Sequence, residues 1–108
     1  MIIQNVNEKN PKNCEGFTPL HLAAKRGKAT ICELIMKNIA DKNPKASDGS
    51  TPLHEAAKEN HLDVCKVLVE NGADNNLMDH KGRTPIAYTL RHQTNENSPL
   101  FKYLSSLI

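Results

Sequence analysis

The chain has 108 residues, the length of one domain, yet only 38% of them are hydrophobic, 4% are aromatic and none is Trp. This is low for a globular domain; it disfavours one central core of large side chains and suits thin layers of Leu, Ile, Val and Ala. A formal net charge of +2 makes no strong case for nucleic acid or a membrane surface, no apolar run approaches the roughly 20 residues of a spanning helix, and Met1-Ile2-Ile3 passes at once into polar residues, unlike a secretory leader.

One stretch sets the frame for the rest. Gly16-Phe-Thr-Pro-Leu-His-Leu-Ala-Ala24 returns as Gly49-Ser-Thr-Pro-Leu-His-Glu-Ala-Ala57 and, in altered form, as Gly82-Arg-Thr-Pro-Ile-Ala-Tyr-Thr-Leu90, 33 residues apart each time. A fixed period of this length is the signature of a solenoid. Helix chemistry accounts for the repeated residues. Thr18, Thr51 and Thr84 are placed to cap a helix N-terminus with their hydroxyls, and Pro19, Pro52 and Pro85 follow at the first helical position, where the missing N–H costs nothing. The glycine two residues before each Thr suits a turn with positive φ.

In chain order, Ile2-Ile-Gln-Asn5 aligns with Ile35-Met-Lys-Asn38 and Leu68-Val-Glu-Asn71. Residues 1–12 therefore read as the tail of a preceding repeat, as in a fragment of a longer array. The first full repeat covers 13–45. Its first helix is predicted over about Thr18–Arg26, with Gly27 as the left-handed residue after it. Its second helix is predicted over about Ala29–Asn38, with Ile31, Leu34 and Ile35 as the apolar stripe. The second repeat covers 46–78, with Asn60 in the glycine's place, Val64, Val67 and Leu68 as the stripe, and Gly72 closing the second helix. The third, 79–108, departs from the pattern: Ala87 stands where His21 and His54 stood, and Thr89-Leu90 replaces Ala-Ala. Its second helix is predicted to start late, with Ser98 as N-cap, Pro99 next, and Leu100, Phe101, Leu104, Leu107 and Ile108 as its apolar face. Terminal units of solenoids are atypical because one side faces water, so 79–108 reads as a C-terminal capping repeat. Leu53, with a repeat on either side, is expected to be better enclosed than Leu20.

Cys14, Cys32 and Cys65 cannot all pair. Cys32 and Cys65 are one period apart, on helices that pack about 8–10 Å from each other, too far for a disulfide. They read as small buried apolar residues, and unpaired thiols point to a reducing compartment, cytoplasm or nucleus.

Thr-Pro-Leu-His-x-Ala-Ala at a 33-residue period, together with Gly72-Ala-Asp-x-Asn76 and Asp79-x-x-Gly82, resembles the ankyrin repeat over essentially the whole chain. The resemblance implies an all-α solenoid: two antiparallel helices per unit, a β-turn finger after each pair, and a concave groove of first helices and fingers as the binding surface. It also implies that Thr18, His21, Thr51 and His54 stabilise turns and link neighbouring repeats, a link lost at Ala87. Ile39 stands where the second repeat has Gly72, so the path into the first finger is expected to differ. Asn76, with Leu68 eight residues before it, matches the family's asparaginyl-hydroxylation position; Asn43, preceded by Ile35, matches less well.

Chemistry beyond binding finds little support. His21 and His54 stand alone on their helices with no ligand at metal spacing, and His61, His80 and His92 are scattered. No nucleophile elbow, phosphate loop or paired-cysteine site is present. No catalytic residue, metal or cofactor is assigned, and the chain reads as a monomeric protein-binding module, scaffold or adaptor. The alternatives are a regulatory segment of a larger enzyme or channel, and a basic surface for polyanions. Carrying the family's groove positions onto this chain gives Lys12, Glu15, Lys25, Arg26, Lys45, Asp48, Lys58, Glu59, Lys81, Arg83 and Arg91, eight basic and three acidic residues; Glu55 borders them. Lys25, Lys58 and Arg91 share one position in successive repeats and are expected to form an exposed basic ladder, either a solvated face or a groove for an acidic protein surface. Phe17 reads either as an exposed anchor or as packing on a preceding repeat, and Tyr88 as a second anchor.

Overall fold

The computed structural model describes residues 15–89 and 98–107. They form six helices: α1 Pro19–Lys25, α2 Ala29–Met36, α3 Pro52–Lys58, α4 Leu62–Glu70, α5 Pro85–Tyr88 and α6 Pro99–Ser105. No strand occurs among the described residues. Within each repeat the two helices pack on each other, and between repeats α1, α3 and α5 stack as an inner layer while α2, α4 and α6 stack as an outer one. This is the all-α solenoid that the period implies.

The helix signals act largely as the sequence requires. Thr18 and Thr51 take extended N-cap backbones, and their hydroxyl oxygens accept from the His21 and His54 N–H groups. Thr84 has the same backbone but its hydroxyl makes no cap bond, so the expected third cap is not made. The residue that differs is Ala87, which has no ring to complete the reciprocal bond, and α5 ends after one turn. Gly27 and Asn60 end the inner helices at φ 75° and 61°. The reversed chain then bonds back through Lys28 N–H to the Ala23 carbonyl and His61 N–H to the Ala56 carbonyl, both 2.9 Å. Ser98 caps α6 through the Phe101 N–H at 3.0 Å, with Pro99 at the first position.

The outer helices correct the expected stripe. In α4, Val64, Cys65 and Leu68 are wholly buried. In α2 the buried residues are Cys32 and Met36, whereas Ile31 and Leu34 are 48% and 59% exposed. The cause is stacking. α2 packs on α4, whose Val64 and Val67 match Ile31 and Leu34, and among the described residues no outer helix precedes α2 to cover Ile31 and Leu34 in the same way. At the other end Leu100 and Leu104 are buried while Phe101 and Leu107 are half-buried; Ile108 lies outside the described residues. Leu20 is as fully enclosed as Leu53, so the expected difference between them is absent.

Both described cysteines are free and buried. Burial is the main reason their thiols are pushed up, to about 11 for Cys32 and about 12 for Cys65; both are inert, apolar fillers at pH 7. Cys14 lies outside the described residues.

Successive fingers are tied at the period. Ser47 N–H donates to the Glu15 carbonyl at 3.1 Å, and His80 N–H, 33 residues on, donates to the Asp48 carbonyl at 2.9 Å. The first finger is reached differently from the second, as expected. Ile39 is buried with no left-handed backbone, and the Lys42 ammonium closes the end of α2 by donating to the Met36 carbonyl. In the second, Gly72 turns at φ 106° and Ala73 N–H returns to the Leu68 carbonyl at 2.9 Å.

Candidate functional site

The inner helices and the fingers carry most of the residues that the sequence singles out. Their geometry begins with the two histidines. His21 Nε2 lies 2.8 Å from the Ser50 carbonyl and His54 Nε2 2.8 Å from the Arg83 carbonyl, each reaching one repeat onward. A carbonyl can only accept, so Nε2 carries the proton. Nδ1 is then the acceptor, taking the Thr18 N–H at 3.1 Å and the Thr51 N–H at 3.0 Å. Both rings are neutral clamps between repeats, and both are fully buried. Each ties its repeat to the next, and among the described residues no group of His, Cys, Asp or Glu side chains is arranged to hold a metal.

Lys58 is not the exposed rung expected of it. Its side chain is 21% exposed, and its ammonium sits 3.3 Å from Glu55 Oε2 and 3.9 Å from Asp48 Oδ2. The Ser50 hydroxyl lies 2.9 Å from the same Glu55 oxygen and 2.8 Å from Asp48 Oδ1. Burial pushes the Asp48 carboxyl up, but the Ser50 hydroxyl and N–H, aided by Lys58, outweigh it and hold Asp48 below its ordinary value. Arg91 lies outside the described residues. Of the proposed ladder, Lys25 alone is placed as an exposed cation, with its ammonium 5.7 Å from the Phe17 ring centroid.

Tyr88 is corrected as well. It is 2% exposed, its hydroxyl donates to Asp79, and its ring packs edge-on to His54 at 6.0 Å. Lys58 and Arg83 lie over it at 5.0 and 5.6 Å. It is a core residue of the third repeat and presents no anchor to a partner. Asp79, buried beside it, is pushed up by desolvation. The Tyr88 hydroxyl and the N–H groups of Arg83 and Lys81 more than offset this and leave it lowered.

Phe17 is half-buried, stacked on His21 at 5.4 Å and 27°. It forms the wall of two adjoining concavities. One, of about 480 Å³, is lined by Glu15, Phe17, Leu22, Lys25, Arg26 and Glu59. The other, about 270 Å³, is lined by Glu15, Phe17, Ser47 and Asp48. Together they span the first two repeats. The arrangement is an apolar patch of Phe17 and Leu22 between exposed cations and exposed anions. Leu22 was not legible as a site residue, although it holds the position of Glu55 and Tyr88, where an apolar side chain leaves the groove floor uncharged. Glu55, expected only to border the groove, pairs with Lys58, and its place one helical turn before that lysine is the signal for the ion pair. Lys81 and Arg83 are exposed further along the second finger. Asn76 is exposed on the second finger, its N–H held by Asp74 at 2.8 Å, whereas the Asn43 amide oxygen accepts from the Asp74 N–H at 2.8 Å.

Stacked two-helix units with bonded fingers and an open inner face define a helical solenoid whose accessible surface is a groove. The family model "Ankyrin repeats (3 copies)" matches residues 1–79, and the chain belongs to the ankyrin-repeat family. No curated protein matches the chain in a direct sequence comparison. Ankyrin repeats are generally protein–protein interaction modules, and among the described residues no helix is long and apolar enough to cross a membrane.

Proposed function

We propose that this chain is a non-catalytic binding module, a scaffold or adaptor segment, that holds another protein against its inner face at the junction of the first two repeats. The observation that carries this reading is the concavity of about 480 Å³ that joins apolar Phe17 and Leu22 to the exposed charges of Lys25, Arg26 and Glu59. Interfaces take their affinity from a few apolar or aromatic anchors rimmed by polar groups, and Phe17 and Leu22 with these charges form such a combination. The working form is a monomer in a reducing compartment, cytoplasm or nucleus, in keeping with the free thiols of Cys32 and Cys65. The reading as a polyanion surface loses its main support once Lys58 is paired with Glu55 and Asp48. Asn76, exposed where Asn43 is engaged, is the proposed position for hydroxylation.

The test is proximity labelling in cells with the wild-type chain and with Phe17→Ala and Arg26→Glu variants shown to melt like wild type. Partners captured by wild type and lost from both variants are expected. Retention of every partner by both would place binding on another face.

A further inference from the structure

The exposed and paired charges of the inner face follow a pattern along the array. In the first repeat Lys25 and Arg26 outnumber Glu15. Lys45, at the end of that repeat, adds to the excess; in the second, Asp48, Glu55 and Glu59 outnumber Lys58, which is already held by two of those carboxylates. In the third, Lys81 and Arg83 outnumber Asp79, which is buried under Tyr88. The sign thus runs positive, negative, positive across three units, where a ladder of free lysine and arginine would have been positive throughout. Arg26 and Glu59 make the alternation plain, because they occupy the same position of successive repeats and both are exposed.

We infer that the groove selects an extended peptide segment bearing an acidic, a basic and an acidic side chain in that order, with an apolar residue next to the first acid. This rests on the groove reading above. The occupant follows from charge complementarity. Lys25 and Arg26 face the first acid, Glu59 and Asp48 face the base, Lys81 and Arg83 face the second acid, and the Phe17–Leu22 patch receives the apolar side chain. Repeats stack at roughly 10 Å and an extended chain advances about 3.3–3.6 Å per residue, so the three charges stand about three residues apart. A uniformly acidic segment would place a carboxylate against Asp48 and Glu59, and like charges in register are a device for rejecting wrong partners.

The probes are fluorescein-labelled synthetic peptides read by anisotropy against the full chain. One carries Leu and then Glu, Lys and Glu at three-residue spacing in a Gly/Ser background; the others carry Lys-Glu-Lys, Glu-Glu-Glu, and the first composition with its lysine moved to the end. The Glu-Lys-Glu peptide is expected to bind about tenfold more tightly than Lys-Glu-Lys and more tightly than the other two, as for several weak exposed pairs acting together. An Asp48→Lys/Glu59→Lys double variant, checked for wild-type melting, should shift the preference to Glu-Glu-Glu. Equal affinities, tightest binding of Glu-Glu-Glu to wild type, or no binding by any peptide would each overturn the inference. Backbone amide shifts in NMR separate this from the underlying reading. Peptides that perturb α1, α3 and the fingers without order preference overturn the charge pattern alone, whereas shifts confined to α2 and α4 overturn both.

Discussion

At the scale of single residues, His54 shows how one side chain joins two repeats. Its ring accepts from Thr51 and donates to the Arg83 carbonyl, so a second ring proton would displace the Thr51 N–H. Burial is the main cause holding its pKa below 6.5; Lys58 acts the same way, while the Arg83 carbonyl, Asp79 and Glu55 pull against it. A depressed pKa means that the neutral ring is the folded form. Its contribution is therefore complete above the unfolded value of about 6.5 and is lost as pH falls through the folded value. The urea midpoint is expected to hold steady from pH 8 to 7 and to fall from pH 6.5 to 5, before most carboxylates titrate. His54→Gln should cost about 1–3 kcal/mol at pH 7.5, the penalty for buried groups left without partners, and should flatten the acid fall. An undiminished fall in that variant would assign the effect to another group. Tyr88→Phe tests the neighbouring bond. Losing a hydrogen bond to the charged Asp79 should cost about 1.5–3 kcal/mol in the same assay, and a neutral result would show that the backbone N–H groups already satisfy that carboxylate.

At the scale of the element, most of what the repeats do was legible because it depends on near neighbours in sequence. Thr18, Pro19 and His21 sit within one turn, and so the cap, the first position and the reciprocal bond could be read together. Ser98-Pro99 gave the late start of α6 on the same grounds. What could not be read depends on neighbours beyond one helical turn. Ile31 and Leu34 look like Val64 and Val67 until one asks which helix covers them, and Lys58 looks like Lys25 until Asp48, ten residues earlier and on a finger, is seen to reach it. Thr84 failed for a local reason in Ala87. Caps and turns therefore give a direct comparison. Thr51→Ala should cost about 1–2 kcal/mol and Thr84→Ala a few tenths, since only the first hydroxyl caps a helix; equal losses by urea denaturation would contradict the capping assignment. Gly27 and Gly82 have almost the same φ, 75° and 77°, but a Cβ on Gly27 would come within 2.8 Å of the His61 ring whereas on Gly82 it meets open space. Both alanine variants should carry about 1 kcal/mol of left-handed strain. Gly27→Ala should lose more, because the ring that bonds the Lys25 carbonyl through Nε2 must also move. A milder loss at Gly27 would mean that His61 shifts freely.

At the scale of the whole molecule the array is nearly one-dimensional, so stability is a sum of units and of the interfaces between them. The links are unequal. The second repeat is clamped on both sides, by His21 to the Ser50 carbonyl and by His54 to the Arg83 carbonyl, and its fingers bond both ways through Ser47 and Asp48. The third repeat has a four-residue inner helix without a hydroxyl cap, no histidine to clamp onward, and Asp79 with Tyr88 as its own substitute. Local opening follows such differences, because units with fewer buried contacts and fewer anchored bonds open at lower free energy. Amide hydrogen exchange should therefore be slowest in α3 and α4 and distinctly faster in α5 and α6. Two truncations separate local from global loss. Leu53 and Leu104 are both 1% exposed, so each loses a comparable side chain and roughly 2–5 kcal/mol of packing when cut to alanine. Leu53→Ala, in the clamped unit, should lower protection across α1 to α4 together. Leu104→Ala, in the third unit, should speed exchange in α5 and α6 while leaving α3 and α4 nearly as slow as in wild type. Uniform acceleration by Leu104→Ala would show one cooperative body from end to end, with the third repeat as firmly coupled as the second.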